Sequence, residues 1–332
     1  MQIRLIAVAA ALACAGVANA GVAFDANYEG DVTKKSGSGV TTNSTAESVG
    51  FGGRIEINAK AEMKNGDNFV TAKGSLLLKH SNDSIADGAN QTAVDDAWIQ
   101  FGNSSADFKI GRHEAVDLFP VGKDTVLETA GGAGYRANAL RGRVTDGRVH
   151  AIASLNASNA LRIELGVVTQ DKGSVATATA DGKPYGVRPT LVYTAGDLTL
   201  RAGFESFKQS SWVGGTATEV NTTGTGLSAG YVLSKDSSVN VNYANSSTDN
   251  AADNSSFGVN AVFGAAGVGY IQDKKHDLNG AGGKTLNTLY AAYSFPLMGV
   301  KGATVTPAFS RSTSSVGNQD VNALRVRFNY AF

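Results

Sequence analysis

The 332-residue chain is predicted to be all-β: a single 16-stranded antiparallel barrel set in a membrane. Three observations lead there. Segments of 8 to 14 residues alternate apolar with polar or small side chains, the period of two that strands produce. Short and long connections alternate down most of the chain, as in barrels with tight turns at one end and loops at the other. Beyond the N-terminal leader no stretch reaches 18 consecutive apolar residues, so a spanning helix is not predicted.

Composition narrows the class further. Only 17% of residues are charged, against about 25% in an average soluble domain. There are 40 glycines and 5 prolines with no G-X-Y period, which excludes collagen and argues against a disordered linker. The 29 basic and 29 acidic residues cancel, leaving no electrostatic case for a nucleic-acid partner.

Residues 1–20 are predicted to be a cleaved secretory signal peptide. Arg4 precedes an apolar core from Leu5 to Val17, and Ala18-Asn19-Ala20 supplies a small-x-small cleavage site. The core is too short to span a bilayer as a helix. Removing twenty residues leaves 312, beginning at Gly21 and forming one domain, 21–332. The single cysteine, Cys14, leaves with the leader; a lipid anchor there is disfavoured because Ala11 stands where a larger aliphatic residue is preferred. The exported chain then has no disulfide, thiolate ligand or thiol chemistry.

The strands are plainest near the ends. Leu324, Val326, Phe328, Tyr330 and Phe332 alternate with Arg325, Arg327 and Asn329. Arg54, Glu56, Asn58, Lys60 and Glu62 alternate with Ile55, Ile57, Ala59, Ala61 and Met63, and Leu198, Leu200, Ala202 and Phe204 oppose Thr199, Arg201, Gly203 and Glu205. Tight turns are predicted at Asn65-Gly66-Asp67, Gly102 to Ser105, Ala195-Gly196-Asp197, Ser234-Lys235-Asp236 and Gly264 to Gly267. Long connections are predicted over 31–47, 80–92, 113–134, 170–184, 209–224, 246–255, 275–284 and 312–320. Counting gives 17 candidate strands. Both ends should share one side, so the number must be even. Within 135–169 Asp146-Gly147 and Asn156 to Asn159 both look like turns but only one can be a tight one, so merging there gives 16.

The polar face of these strands is rich in Gly, Thr, Ser, Asn and paired charges, unlike the second apolar face a soluble sandwich would need. In lipid every backbone polar group needs an internal partner, so strands must close, apolar side to lipid and polar side to a lumen. Tyr28, Phe51, Phe101, Tyr193, Tyr243, Phe295, Tyr330 and Phe332 suit interfacial girdles. Sixteen strands enclose more than side chains can fill, which implies a water-filled channel.

At this point the chain resembles the trimeric general-diffusion porins of Gram-negative outer membranes. The carriers are the Ala18-Asn19-Ala20 leader end, a strand beginning at once, and the terminal Phe332 with Tyr330, Phe328 and Val326 alternating behind it. Ala97-Trp98-Ile99-Gln100-Phe101-Gly102 through Phe108-Lys109-Ile110-Gly111-Arg112 is similar to the porin hairpin before the third loop. That loop departs from the family pattern, with Leu118-Phe119-Pro120-Val121-Gly122 where Pro-Glu-Phe-Gly is usual. The resemblance implies that residues 113–134 fold inward as a constriction carrying Glu114, Asp117, Lys123, Asp124 and Glu128. It implies also that Phe332 and Tyr330 form the signal read by the barrel-assembly machinery. A homotrimer in outer-membrane lipid and lipopolysaccharide, localised to the outer membrane, follows from the same likeness.

Alternation assigns inward-facing cations: Arg54, Lys60, Lys73, Lys79, Lys109, Arg141, Arg143, Arg162, Arg188, Arg201, Arg325 and Arg327, with Arg112 at the loop's entry. The inward acids on strands are Glu56, Glu62, Asp96, Glu164 and Glu205. Opposed to the loop carboxylates, these cations would set up a transverse field with a modest basic excess. The expected function is passive diffusion of small hydrophilic solutes and ions with weak anion preference; the alternative is that the arginines merely form wall salt bridges.

No cofactor or metal is expected. His80, His113, His150 and His276 are scattered without paired spacing, and no Gly-x-Ser-x-Gly elbow or P-loop occurs. Asp249 to Asn254 lacks an EF-hand pattern. An outer-membrane enzyme would need a Ser/His or Asp/His constellation, which is absent. A channel dedicated to sugars or phosphate would need a ladder of aromatics or lysines, and inward aromatics are few: Trp98, Phe207 and Tyr290. An adhesin remains a further alternative.

Overall fold

The computed structural model describes residues 21–38, 47–81, 90–123, 125–130, 134–143, 148–170, 185–213, 216–276, 283–316 and 319–332. The predicted leader and Asp124 lie outside the described residues. In chain order the strands are β1 Val22–Ser36, β2 Glu47–Asn65, β3 Asn68–Ser81, β4 Asn90–Gly102, β5 Ala106–Arg112, β6 Arg148–Asn156, β7 Leu161–Gln170, β8 Tyr185–Ala195 and β9 Leu198–Val213. They continue with β10 Thr216–Ser234, β11 Ser237–Thr248, β12 Asn254–Phe263, β13 Ala266–Lys275, β14 Lys284–Tyr293, β15 Phe295–Pro296, β16 Ala303–Ser314 and β17 Val321–Ala331. Two-residue β15 only extends the β14–β16 connection, so sixteen strands span.

Each strand pairs antiparallel with its sequence neighbour, and β1 pairs with both β2 and β17. Tyr28 lies between Ile55 and Tyr330 in that closing register. The sheet therefore has no edge, which satisfies the backbone without water. Phe24, Tyr28 and Val32 on β1, Ile57 on β2, and Leu324, Phe328 and Tyr330 on β17 are exposed. Their intervening neighbours Glu29, Asp31, Arg54, Glu56 and Arg327 ion-pair or lie buried on the inner face. An apolar outside around a polar inside is the pattern that lipid selects.

The tight turns at Asn65 to Asp67, Gly102 to Ser105, Ala195 to Asp197 and Ser234 to Asp236 fall between strands as predicted, and the turn predicted at Gly264 to Gly267 shortens to 264–265. Residues 31–36 of the loop predicted over 31–47 belong to β1 and pair with β2 and β17, and two further long connections differ from expectation. Residues 209–224, read as a loop because they are polar, are mostly strand: β9 and β10 pair in register from Leu198–Tyr231 out to Val213–Thr216. Backbone pairing above a membrane does not require apolar side chains, so composition misleads there. The second difference settles the uncertain region 135–169. The tight turn is the one at Asn156 to Asn159, between β6 and β7, and the described residues 113–123, 125–130 and 134–143 belong to the connection between β5 and β6. Arg141 and Arg143, read as wall residues, consequently belong to this loop.

Candidate pore constriction

The connection that starts at His113 runs along the inner wall of the barrel, and glycine makes this course available. On strands β8 to β10, β12 and β13 the wall presents inward Gly186 (β8), Gly203 (β9), Gly224 and Gly226 (β10), Gly258 (β12) and Gly267 (β13). Each is occupied by a loop side chain. A Cβ on Gly186 would lie 2.5 Å from Leu140 Cδ1, one on Gly226 2.5 Å from the Ala137 Cβ, one on Gly258 2.9 Å from Phe119 Cζ, and one on Gly267 2.5 Å from the Lys123 Cβ. Leu118 sits over Gly203 and Tyr135 over Gly224. Part of the glycine excess is thus a track cut to the loop's shape. Leu118, Phe119 and Ala137 form a buried cluster with Ala244, Ile271 and Tyr290 of the wall, and Val126 packs with Ala292, Ala308 and Ala323. The hydrophobic core of this protein is therefore in its lumen.

Polar anchors hold the same course. Pro120 O accepts from Asn242 Nδ2 and Asn260 Nδ2, both at 2.7 Å, Val121 O from Tyr290 Oη at 2.9 Å, and Glu128 O from the Thr288 hydroxyl at 2.8 Å. The Glu128 carboxylate reaches Lys35 of β1 at 2.7 Å. The loop therefore coats the wall from β8 around to β1 and returns through Gly134 to Arg143, with Arg136 3.6 Å from Asp273 of β13.

The strongest anchor is a buried ion pair. Arg188 of β8 and Glu205 of β9 are 1% and 0% exposed, joined Nε to Oε1 at 2.9 Å. Glu205 also accepts from Tyr135 Oη at 2.6 Å, Ala139 N at 3.1 Å and Leu140 N at 2.9 Å; Arg188 Nη2 donates to Val116 O at 2.9 Å and Ala137 O at 3.2 Å. Both limbs of the loop are tied to one pair of wall charges. Burial, and then the adjacent Glu205 carboxylate, push the Tyr135 hydroxyl well above the ordinary tyrosine range, so it stays a donor.

A bulge fixes the loop's far end. Ser75 of β3 faces both Asp95 and Asp96 of β4, because Gly74 pairs with Ala97 and Leu76 with Val94. The extra residue turns two successive carboxylates inward, and both are buried. Arg143 bridges them at 3.0 Å each, while Lys73 meets Asp96 at 2.7 Å. Asp95 is an inward, ion-paired position that alternation missed; the signal was the doublet of acids within a period-two strand. Arg112 pairs with Ala97 on the exposed face, and its Nε donates to the Val94 and Asp95 carbonyls at 2.9 Å. It braces the bulge instead of lining the lumen.

At the root, the loop's two ends meet. Ala115 N donates to Arg141 O at 2.6 Å and Arg143 N to His113 O at 3.2 Å, with Gly142 at φ +119° where a side chain would strike His113 O. His113 and His150 stack beneath, centroids 4.3 Å apart and planes 8° from parallel. Burial first, then His150 and Lys109, hold the His113 pKa down to about 3, so its ring is neutral at neutral pH. Both rings are buried, 1% and 3% exposed.

The charges expected at the constriction are mostly neutralised in pairs. Glu114 and Asp117 lie 3.1 and 3.7 Å from Arg141. Arg54 meets Glu29 at 2.9 Å, Arg162 meets Asp107 and Glu164 at 2.9 Å, and Arg327 grips Asp31 through Nε and Nη2 at 2.7 Å. Arg325 lies beside Arg327 on the inner face of β17. Among the described residues, Lys79, Lys109, Lys123 and Arg201 have no carboxylate within 4.0 Å. Lys109 instead lies over the Trp98 ring, 4.5 Å from its centroid.

Comparison with known proteins agrees with this architecture. The family model described as porin-like glycoporin RafY matches residues 22–332. No curated protein sequence matches the chain. Among solved structures, a loop L8 deletion mutant of OmpT, an outer membrane protein of Vibrio cholerae, is 16% identical, with a TM-score of 0.66 over 95% of this chain and 100% of that one. In-vitro folded OmpT, in its trimer form, is 14% identical, with a TM-score of 0.65 over 94% and 99%. A mutant of Rh. blastica porin is 15% identical, with a TM-score of 0.54 over 93% and 100%. At such identities these structures share the fold. The family model spans the barrel from its first strand to its last residue, and the chain accordingly belongs to the porin-like glycoporin family, as a porin of the Gram-negative outer membrane.

Proposed function

We propose that the protein is a homotrimeric, passive channel for small hydrophilic solutes and ions, weakly anion-preferring, and without catalytic activity. Residues 1–20 direct export, the short turns face the periplasm, and Phe332 with Tyr330 present the chain to the assembly machinery. The observation that carries the anion preference is the imbalance of partners. Glu114, Asp117 and Glu128 of the loop each have a cation, while Lys79, Lys109, Lys123 and Arg201 have no carboxylate within 4.0 Å among the described residues. Most of the arginines are wall salt bridges, so the preference rests on the three lysines and Arg201. A buried or half-buried cation without a partner attracts mobile counter-ions in a narrow aqueous path.

The family model's description, a glycoporin, raises a sugar-specific reading. Lys109 covers one face of Trp98 and Tyr290 is buried under the loop, so these two rings form no open ladder for a sugar. Planar-bilayer recording combined with liposome swelling tests the passive reading. Currents should rise in groups of three equal steps, and swelling rates for neutral sugars should fall smoothly with size. Single steps would contradict the trimer, and saturation by one sugar would contradict general diffusion.

A further inference from the structure

We infer that the part of the wall left uncovered by the loop holds a binding niche for small hydroxylated carboxylates; this rests on the chain being an anion-permeable pore. The niche, about 530 Å3, is lined by Glu29, Asp31, Gly52, Arg54, Lys79 and Arg327, with Gly53 and His80 at its border. Its geometry follows from register. Arg327, Asp31 and Gly52 form one row across β17, β1 and β2, and Glu29, Arg54 and Lys79 form the next row across β1, β2 and β3.

Three features distinguish this place from the rest of the wall. Gly52 is an inward glycine like those of the loop track, yet a Cβ there would meet nothing closer than His80 O at 3.7 Å. Its space opens to the lumen instead of receiving the loop. Second, Arg54 and Lys79 are direct cross-strand partners of like charge, an arrangement that is unfavourable without an anion between them. Arg54 has Glu29, but Lys79 has no carboxylate within 4.0 Å among the described residues. Third, Glu29 and Asp31 hold Arg54 and Arg327 in fixed positions and keep further lone pairs as acceptors.

A cationic edge beside fixed carboxylate acceptors selects a particular chemistry. A solute carboxylate fits between Lys79 and Arg54, and its hydroxyl groups donate to Asp31 and Glu29. A simple carboxylate lacks those donors, and a neutral polyol lacks the anion. Sugar acids have both. The loop touches β1 through Glu128 and Lys35, two inward positions along the strand from Asp31, so solutes leaving the constriction pass the niche.

The test is chloride current through single trimers with D-gluconate, acetate or glucose added on one side. Gluconate should block saturably, while acetate and glucose should not. Lys79→Gln should raise the half-blocking gluconate concentration about tenfold or more, as expected when a charge-assisted hydrogen bond is lost. Gly52→Val, which fills the niche where the wall has room, should abolish the block. Equal effects of gluconate and acetate on the native pore, or unchanged block in both variants, would overturn the niche. A cation-selective native pore would instead overturn the reading on which it rests.

Discussion

Replacing Glu205 with alanine is expected to loosen the constriction loop and give larger, noisier single-channel currents from a barrel that still assembles. The carboxylate is fully buried and receives the Arg188 guanidinium, the Tyr135 hydroxyl and the amides of Ala139 and Leu140. Removing one partner of a buried, hydrogen-bonded ion pair costs about 3–5 kcal/mol, because the other charge is left uncompensated. That corresponds to roughly two to four decades in the ratio of docked to undocked loop. The cost falls on docking, since β8 and β9 keep their backbone ladder without these side chains. Replacing Arg188 and Glu205 together with a neutral pair should restore part of the quiet behaviour. Native conductance and noise in Glu205→Ala would show that the pair does not hold the loop.

Gly226→Val should act in the same direction by a different route. A Cβ at this position would lie 2.5 Å from the Ala137 Cβ and 2.9 Å from that of Leu118, both of them loop atoms in the buried cluster. Overpacking of this kind costs about 1–3 kcal/mol, and the loop can yield where the hydrogen-bonded wall cannot. Conductance should rise, with weaker discrimination among solutes by size. Gly74→Ala is the matched control, because nothing lies within 4 Å of a Cβ there. If both variants behave alike, the glycines do not form a track for the loop.

The barrel was legible from sequence because its causes are local. Alternation along each strand, the signals at Asn65-Gly66-Asp67 and Ala195-Gly196-Asp197, and the terminal run to Phe332 need no knowledge of distant contacts. The course of the constriction loop was not legible. Gly203, Gly226 and Gly258 are scattered in sequence, and only strand register lines them up beneath Leu118, Ala137 and Phe119. The loop's far limit was missed for a related reason: residues 135–143 include Ala137 and Leu140, which look like strand residues but bury themselves against the wall glycines. Charge was half legible. Alternation found the inward arginines, but which of them are neutralised depends on cross-strand neighbours, and on a bulge that turns Asp95 inward beside Asp96.

Cations with no carboxylate within 4.0 Å among the described residues, set in a loop-narrowed lumen, should give the pore a weak anion preference. The zero-current potential of the native protein across a potassium chloride gradient tests it most directly. Chloride should cross faster, so the dilute side should turn negative, and neutralising Lys109, Lys123 and Arg201 together should move the potential toward zero. A dilute side that turns positive in the native pore would show that the lumen prefers cations.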